Sequence, residues 1–358
     1  MAGEEQTNDS LVETIKIVVQ MVVFAFIISA TVLGNALICV SVKRFRYLRT
    51  HTNFILVSLA LTDLSMVVVM ILNAITSVTG KWIFGAWCCR AVAATGLTLS
   101  FVSILHMCCL SIDRYIAIQK PFRYELIVTK RRVQTILLLI WLSGVVIPNI
   151  PLADFESRAA SFGCLDPALE NSRSFSPYTV FLVGIFVVLP FVVICFSNAV
   201  VFKTAFNQAR QLSRVENSLK QSSADICEPE KPQDEQQIEN HNFNSFKREI
   251  KSARTFALVV GLFLLCYVPF YSAGTYRKLA GPNKVPSSVM LITTWIAFAN
   301  SFCNPLVYGL RYSPFRKAFK LLYHTNVFSR KRRPYICKSL SFWRRERQDT
   351  TLSSSSAL

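Results

Sequence analysis

The sequence predicts an all-α membrane protein, a seven-transmembrane helix bundle with a short amphipathic eighth helix. Of its 358 residues, 52% are hydrophobic and 17% are charged, so a water-soluble domain of this length would expose far too much apolar surface. A helix needs about 20 apolar residues to cross a hydrocarbon core of roughly 30 Å. Seven such runs occur, at 15–42, 53–76, 91–112, 133–150, 178–202, 255–270 and 289–310. The fourth and sixth runs are short, but flanking residues can extend both.

The distribution of Lys and Arg predicts the orientation, because positively charged loops stay in the cytoplasm. The first connection reads "KRFRYLR" at 43–49, and the tail carries "RKRR" at 330–333. With seven spans, the N-terminal segment 1–14 is then extracellular, where Asn8 begins the glycosylation acceptor Asn8-Asp9-Ser10. We therefore expect a multi-pass plasma-membrane protein with its N-terminus outside the cell.

Composition divides the rest of the chain into a membrane domain, 15–323, and a cytoplasmic tail, 324–358. Inside the membrane domain, 211–244 is rich in Gln, Glu, Pro and Asn, which predicts a disordered cytoplasmic loop. The stretch "SPFRKAFKLLY" at 313–323 is the expected eighth helix. In the tail, Cys337 lies close to "RKRR", a context that favours palmitoylation beside anionic lipid.

The formal net charge of +18 has two interpretations. A nucleic-acid-binding protein would concentrate its basic residues on a soluble face. Here the basic residues border apolar segments, so membrane topology and anionic membrane lipids explain them better. We expect lipids as partners and no nucleic acid.

The eleven cysteines show no metal-type spacing, and most fall inside apolar runs, where a thiol is a small hydrophobe. Only Cys88, Cys89 and Cys164 lie where an extracellular disulfide can form. Cys89, at the outer end of the third span, and Cys164, in the second outer loop, are the expected pair. Cys88 is the competitor of Cys89.

Polar and proline residues stand at particular places inside the apolar runs, where each polar residue is costly and usually functional. They include Gly34-Asn35, Asp63 in "LALTD", Asp113-Arg114-Tyr115, Trp141, Pro190, Cys266 with Pro269, and Asn304 to Tyr308 in "NPLVY". This ordered set resembles the rhodopsin-like (class A) family of G-protein-coupled receptors, and the seventh run resembles its amine-receptor-like orphan branch. The resemblance covers all seven spans, from about residue 20 to residue 323.

The resemblance implies coupling to a heterotrimeric G protein, followed by regulation through arrestin and a receptor kinase. The coupling and switch residues that it implies are Asp113, Arg114, Tyr115, Pro121, Phe122, Glu249, Asn304, Pro305 and Tyr308. A guanidinium at the membrane edge also needs anionic partners on physical grounds, because an unpaired one costs several kcal/mol. Asp113 is the local partner, and the resemblance implies that Glu249, on another helix, is the breakable one. The alternative is an ordinary interfacial ion pair at a helix end.

The resemblance also implies two clusters in the middle of the bundle. An allosteric sodium ion would be held by Asp63, Ser103, Asn300, Ser301 and Asn304; the alternative is a protonated Asp63 that is hydrogen-bonded to its neighbours. Pro190, Ile104 and Phe263 match the core triad that repacks on activation. Tyr267 and Asn198 depart from the family, which usually has Trp and Tyr at these positions.

The outer pocket lacks the features of the best-known ligand classes. Gly96 stands where amine receptors have an aspartate, and Phe298 stands where opsins have their lysine. We therefore expect a neutral or lipid-like ligand, occupation by the outer loop, or constitutive activity. The expected pocket is Met70, Asn73, Gly96, Leu97, Ser100, Phe101, Phe186, Tyr267, Phe270, Tyr271, Thr294, Trp295 and Phe298, although about half of these residues fit ordinary interhelical packing equally well.

Two other classes of membrane protein are the alternatives. A transporter or channel would show symmetry-related repeats and charged pathway residues in several spans. A membrane enzyme would need a converging nucleophile, base or metal set, which His106 alone does not provide. The sequence favours a receptor that is not an enzyme, with an unknown ligand.

Overall fold

A computed structural model describes residues 2–149, 188–204, 206–207, 258–277, 280–281 and 284–324 of the chain. Within these residues lie eight helices longer than two turns. They are α1 (Ala2–Arg44), α2 (His51–Thr79), α3 (Gly85–Gln119), α4 (Lys130–Asn149), α5 (Leu189–Thr204), α6 (Leu258–Arg277), α7 (Ser287–Arg311) and α8 (Ser313–His324). The bounds of α5 and α6 are those of their described parts. The predicted loop 211–244 and the tail beyond His324 lie outside the described residues.

Five of these helices are long and apolar enough to cross a membrane: α1, α2, α3, α6 and α7. The described part of α5 is apolar but shorter, and α4 has 20 residues that begin with three basic ones. The sixth predicted run, 255–270, was too short because α6 continues to Arg277. Small and polar residues after Phe270 lower the hydropathy without ending the helix.

The third predicted span was also too short. It ends at Ile112, whereas α3 continues to Gln119, so Asp113, Arg114 and Tyr115 lie inside the helix and not at its end. The helix stops where Lys120 leaves helical geometry, with φ −133° and ψ 58°. Lys120 precedes Pro121, and the proline ring disfavours the helical region for the residue before it. A backbone restraint therefore ends this helix, not the change in hydropathy.

The helix α1 contains 43 residues, which at 1.5 Å per residue span about 64 Å. This is about twice the thickness of a bilayer core. The segment 1–14, predicted as a separate extracellular N-terminus, is therefore helical from Ala2. Asn8 lies in this helical part.

The helix α2 occupies the centre of the described bundle, since it contacts α1, α3, α4 and α7. Two glycines allow neighbouring helices to approach closely. A Cβ at Gly34 would lie 2.5 Å from Cγ of Pro305, and a Cβ at Gly144 would lie 2.2 Å from Cγ2 of Val102. Small residues at such contacts are typical of membrane helices.

The bundle belongs to a compact unit that ends at Phe319, and a second unit begins at Lys320. In the first unit, α8 buries Phe315 and Ala318 and exposes Arg316 and Lys317. This is the two-faced pattern of an interfacial helix. The described residues of the second unit are the last turn and a half of α8.

Candidate functional site

A charged cluster near the end of α3 is the most strongly connected polar site among the described residues. The side chains of Arg114 and Asp113 are only 14% and 4% exposed. Nε and Nη2 of Arg114 donate to Oδ2 of Asp113 at 3.0 and 2.5 Å. The sequence therefore supplies the local partner of the guanidinium in the neighbouring residue.

Thr52, the second residue of α2, ties this pair to another helix. Its hydroxyl donates to Oδ2 of Asp113 at 2.9 Å and accepts a hydrogen bond from Nη2 of Arg114. The side chain is buried because α2 begins just below the cluster. Thr52 was not predicted, since nothing in "RTHTN" distinguishes it from Thr50, which caps α2 instead.

Tyr124 supplies a third connection, from the loop after α3. A 3-10 turn, Pro121–Arg123, is followed by one helical turn, Tyr124–Ile127, which carries the phenol back to α3. Its hydroxyl donates to Oδ1 of Asp113 at 2.8 Å and lies 3.4 Å from the Thr52 hydroxyl. Burial, and then the nearby Asp113 carboxylate, raise the pKa of Tyr124 to about 12. The phenol is therefore a neutral donor at physiological pH.

Hydrogen bonds from Thr52, Tyr124 and Arg114 to Asp113 make the cluster a closed arrangement. Both oxygens of Asp113 accept hydrogen bonds, and Arg114 is held between this carboxylate and a hydroxyl. Hydrogen bonds to charged groups contribute about 1.5–3 kcal/mol each, so each partner stabilises the closed arrangement measurably.

The other predicted coupling residues differ in their exposure. Tyr115 is partly buried, and Pro121 and Phe122 are exposed, Phe122 by 99%. In α7, Tyr308 is fully buried with its ring centroid 6.2 Å from that of Phe315. Glu249, the predicted interhelical partner of Arg114, lies outside the described residues.

A second polar cluster lies in the middle of the bundle. The predicted sodium residues are all buried, and Asp63 is only 2% exposed. Nδ2 of Asn304 donates to Oδ2 of Asp63 at 3.0 Å, and the Ser301 hydroxyl also faces this carboxylate. Nδ2 of Asn35 donates to the Ser301 carbonyl at 2.9 Å, which links α1 to α7.

Several buried polar atoms of this second cluster have no hydrogen-bond partner within the described part of the chain. They are Oγ of Ser103, Nδ2 and Oδ1 of Asn300, and Oδ1 of Asn304. Buried polar atoms are normally satisfied by protein, water or an ion. A carboxylate with hydroxyl and amide oxygens is also a donor set that suits a hard cation. The residues therefore fit a small hydrated cation.

The three residues predicted as the activation core are buried. Ile104 and Phe263 are fully buried and Pro190 is buried, while the rings of Phe191 and Phe263 lie 5.7 Å apart. The unusual Tyr267 packs against Phe263 at 4.8 Å between ring centroids.

The unusual Asn198 binds across the bundle. Its Nδ2 donates to the Ser111 hydroxyl of α3 at 3.1 Å and to the Ile194 carbonyl at 2.7 Å. Asn198 therefore links α5 to α3 by a polar contact. Ser111 was not predicted.

Only some of the residues predicted to line the outer pocket lie together. Met70 belongs to a buried apolar cluster against which Trp295 and Phe298 pack, while Tyr271 stacks on Tyr267 at 5.9 Å. The remaining described pocket residues are buried or half-buried; they are Asn73, Gly96, Leu97, Ser100, Phe101, Phe270 and Thr294. Two of them bond to their own helices. Nδ2 of Asn73 donates to the Val69 carbonyl, and the Thr294 hydroxyl donates to the Met290 carbonyl. Phe186 lies outside the described residues.

A polar contact between α2, α3 and α4 was missed by the sequence argument. Nε2 of His106 lies 2.7 Å from the Ser58 hydroxyl, and Nε1 of Trp141 donates to that hydroxyl at 3.1 Å. Nδ1 of His106 lies 2.7 Å from the Val102 carbonyl, which fits a neutral imidazole that donates from Nδ1. His106 is thus a structural residue that joins three helices.

The structure describes only some of the residues that were predicted to form a disulfide or to be modified. Cys89 is disulfide-bonded and Cys88 has a free thiol, but Cys164 lies outside the described residues. The Cys89–Cys164 pairing therefore stays a prediction. Cys337 also lies outside the described residues, and glycosylation of Asn8 stays a prediction.

One family model and several known receptors match the chain. Residues 34–308 match the family described as 7 transmembrane receptor (rhodopsin family). The chain is 32% identical over 308 residues to octopamine receptor beta-1R of Drosophila melanogaster, a match that covers 84% of this chain and 61% of that receptor. It is 32% identical over 308 residues to octopamine receptor beta-2R of Chilo suppressalis, covering 83% and 78%.

A vertebrate relative matches equally well. The chain is 32% identical over 320 residues to a D(5)-like dopamine receptor of Takifugu rubripes, covering 86% of this chain and 67% of that receptor. The chain spans about three fifths of the length of the two Drosophila octopamine receptors that it matches, 61% and 63%.

Proposed function

This chain belongs to the rhodopsin family of seven-transmembrane receptors, and on that premise we propose that it transmits a signal across the plasma membrane to heterotrimeric G proteins. We place the N-terminus outside the cell and the basic end of the bundle in the cytoplasm. The observation that carries the proposal is the closed cluster in which Asp113 and Thr52 hold Arg114 while Tyr124 holds Asp113. A fixed helix-end ion pair would not need partners from three separate elements.

The proposed coupling step is the release of Arg114. In the closed arrangement the guanidinium is occupied by Asp113 and Thr52. When the cytoplasmic ends of the helices separate, the freed guanidinium donates to backbone carbonyls of the G protein. Phe122, 99% exposed in the adjoining loop, offers an apolar contact next to it. An exposed aromatic side chain beside an Arg is a typical anchor of a protein interface.

We propose that the ligand is neutral or lipid-like, or that the receptor signals without one. The relatives are named as octopamine and dopamine receptors, but Gly96 offers no carboxylate to a protonated amine. The described outer residues are aromatic and aliphatic, with Met70, Trp295 and Phe298 in one apolar cluster. Octopamine and dopamine should therefore not stimulate nucleotide exchange at concentrations that saturate the relatives, and a full response to either amine would overturn this part.

We also propose that the mid-membrane cluster holds sodium. Asp63 would supply the charge, and Ser103, Asn300, Ser301 and Asn304 would supply oxygen atoms, several of which lack a protein partner in the described structure. The ion would neutralise a buried carboxylate that is costly to leave charged. Asp63 and Asn304 then hold α2 and α7 together in the resting arrangement.

The proposed cytoplasmic partners also include a receptor kinase and arrestin. The tail contains "SSSS" at 353–356, and phosphate groups there would add negative charge for an arrestin-like partner. Palmitoylation of Cys337 would hold the tail against anionic lipid. Removal of residues 350–358 should slow desensitisation.

The direct test is nucleotide exchange on purified G proteins of each class, added to membranes that contain the chain. Membranes with the same amount of an unrelated seven-helix protein are the control. Exchange above the control for at least one G-protein class supports the receptor function. Solute flux without exchange would instead support a transporter or channel and overturn it.

A further inference from the structure

Arg132, the third residue of α4, binds the loop that carries Tyr124. Its Nη1 donates to the carbonyl oxygens of Leu126 and Ile127 at 3.1 and 2.9 Å. These are the last two residues of the single helical turn Tyr124–Ile127, the loop helix. The Arg132 side chain thus joins the start of α4 to the end of the loop helix.

The place of Arg132 in its own helix does not explain this side chain. α4 begins with Lys130, Arg131 and Arg132, and its first turn contains no acidic residue. Positive charge at the N-terminus of a helix opposes the helix dipole, whereas positive charge at a C-terminus is favourable. The Arg132 guanidinium lies at the carbonyl end of the loop helix, where its charge is stabilising.

The loop helix needs such a partner because it is only four residues long. Isolated helices shorter than about 12 residues are marginal in water, and the last carbonyls of any helix lack partners inside that helix. The Val128 N–H closes the loop helix by donating to the Tyr124 carbonyl at 2.8 Å. Arg132 then supplies a donor to the carbonyls of Leu126 and Ile127.

Apolar packing also holds this segment. Val128 is buried, and Tyr124 and Ile127 pack against the main apolar core of the bundle. Leu126, by contrast, is 74% exposed. Packing therefore keeps the loop against the bundle, and the hydrogen bonds from Arg132 stabilise its helical turn.

The helical turn determines where the Tyr124 hydroxyl lies. Tyr124 is the first residue of the loop helix, and its hydroxyl donates to Oδ1 of Asp113 at 2.8 Å. A hydrogen bond weakens steeply as its geometry departs from the ideal. Unwinding of the loop helix would therefore weaken the contact between Tyr124 and Asp113.

We propose that Arg132 is a positioning residue of the coupling site. By holding the carbonyl end of the loop helix, it keeps the Tyr124 hydroxyl on Asp113, and Asp113 in turn keeps Arg114 restrained. Arg132 acts on the arginine only through Tyr124. Its effect on signalling rests on the proposed G-protein function, but its effect on the loop does not.

The experiment compares Arg132→Ala with Arg131→Ala in the full chain in nanodiscs. Both substitutions remove one exposed charge from the first turn of α4, so they match in membrane attraction and in helix propensity. The first measurement is hydrogen–deuterium exchange of the backbone amides in 124–128, which requires no G protein. The second is basal nucleotide exchange per surface receptor, in the presence and absence of Tyr124→Phe.

We expect amide protection in 124–128 to fall about two- to five-fold in Arg132→Ala and to stay unchanged in Arg131→Ala. Basal nucleotide exchange should rise by a similar factor in Arg132→Ala. It should not rise further when Arg132→Ala is added to Tyr124→Phe, because the contact through which Arg132 acts is then already lost.

Unchanged amide protection in Arg132→Ala, or an equal loss in Arg131→Ala, would overturn the positioning role. Independent effects of Arg132→Ala and Tyr124→Phe on nucleotide exchange would overturn it as well, because they would show that Arg132 does not act through the phenol. Reduced protection in Arg132→Ala alone, in a wild-type chain that stimulates no G protein, would support the loop contact and overturn the proposed G-protein function instead.

Discussion

The Tyr124 hydroxyl donates a 2.8 Å hydrogen bond to Oδ1 of Asp113, while Arg114 and Thr52 occupy the other oxygen of this carboxylate. The loop that follows α3 is thereby fastened to the acid that restrains the arginine. A G protein that moved this loop would weaken the restraint on Arg114. The position of the loop and the restraint on the arginine are therefore coupled through Asp113.

Replacing Tyr124 by Phe should raise basal nucleotide exchange, because it removes one donor from Asp113 and keeps the ring. A loss of about 1.5 kcal/mol from the closed state corresponds to roughly thirteen-fold more of a minor open state. The measurement is exchange per surface receptor. Tyr323→Phe, at an exposed tyrosine, is the control, and no increase in Tyr124→Phe above this control would contradict the role of the phenol.

The same contact predicts a pH dependence. The pKa of Tyr124 is raised to about 12, above the usual value for tyrosine of about 10. A group with a raised folded pKa contributes its stability fully below the unfolded value and loses it as the pH rises through the folded value. Ionisation of Tyr124 should therefore not alter basal exchange between pH 6 and 9, and the ratio of Tyr124→Phe to wild type should stay constant in that range.

Replacing Asp63 by Asn should weaken any dependence of signalling on sodium, because the amide keeps hydrogen-bonding capacity but removes the charge that attracts the ion. Basal exchange is measured in sodium and in a bulky organic cation at equal ionic strength. The difference between the two salts should shrink in the variant. A sodium effect as large as that of wild type would reject this site.

The contact between Asn198 and Ser111 should show energetic coupling. Interhelical hydrogen bonds in membrane proteins contribute about 0.6 kcal/mol on average, so Asn198→Ala and Ser111→Ala should each lower thermal stability, and the double variant should lose less than the sum. Unfolding of the purified chain supplies the measurement. Cys195→Ala, at an exposed position of α5, is the control, and strict additivity would show that the contact is not formed.

Cys89 should be linked to Cys164, because Cys88 has a free thiol in this structure while Cys89 is disulfide-bonded. Peptide mapping without reduction should recover the two segments as one crosslinked species. Cys88→Ser should leave that species unchanged, whereas Cys89→Ser should abolish it. Recovery of Cys88 joined to Cys164 would reverse the assignment.

The fold class and the family resemblance predicted from the sequence are confirmed by the family match over residues 34–308. The fold class rests on the seven apolar runs, and the resemblance rests on motifs that are local in sequence, such as Asp113-Arg114-Tyr115. The predicted ends of the helices were less accurate, because hydropathy marks the apolar part of a helix and not the residue at which the helix ends. α3 continues to Gln119 and stops before Pro121 for a backbone reason.

Partners across helices could not be predicted. Thr52, Tyr124 and Ser58 look like ordinary residues of a helix start, a loop and an apolar run. Their contacts depend on the rotation of α2 and on the loop path that returns Tyr124 to Asp113. Periodicity limits which face of a helix is buried, but it does not fix which polar atoms meet.

Basal G-protein nucleotide exchange, normalised to surface receptor, tests the central claim most directly in two variants. Glu249→Ala should raise it, because on our proposal Glu249 is a partner of Arg114 in the closed state alone, and its removal changes the equilibrium by ~1–3 kcal/mol, or roughly 5- to 150-fold. Arg114→Ala should lower it, because the proposed coupling step needs the released arginine to contact the G protein. Glu125→Ala and Arg123→Ala, at exposed charges of the adjoining loop, are the matched controls. Equal exchange in wild type and Glu249→Ala, or similar loss of expression in both variants without any gain of signalling, would contradict the switch.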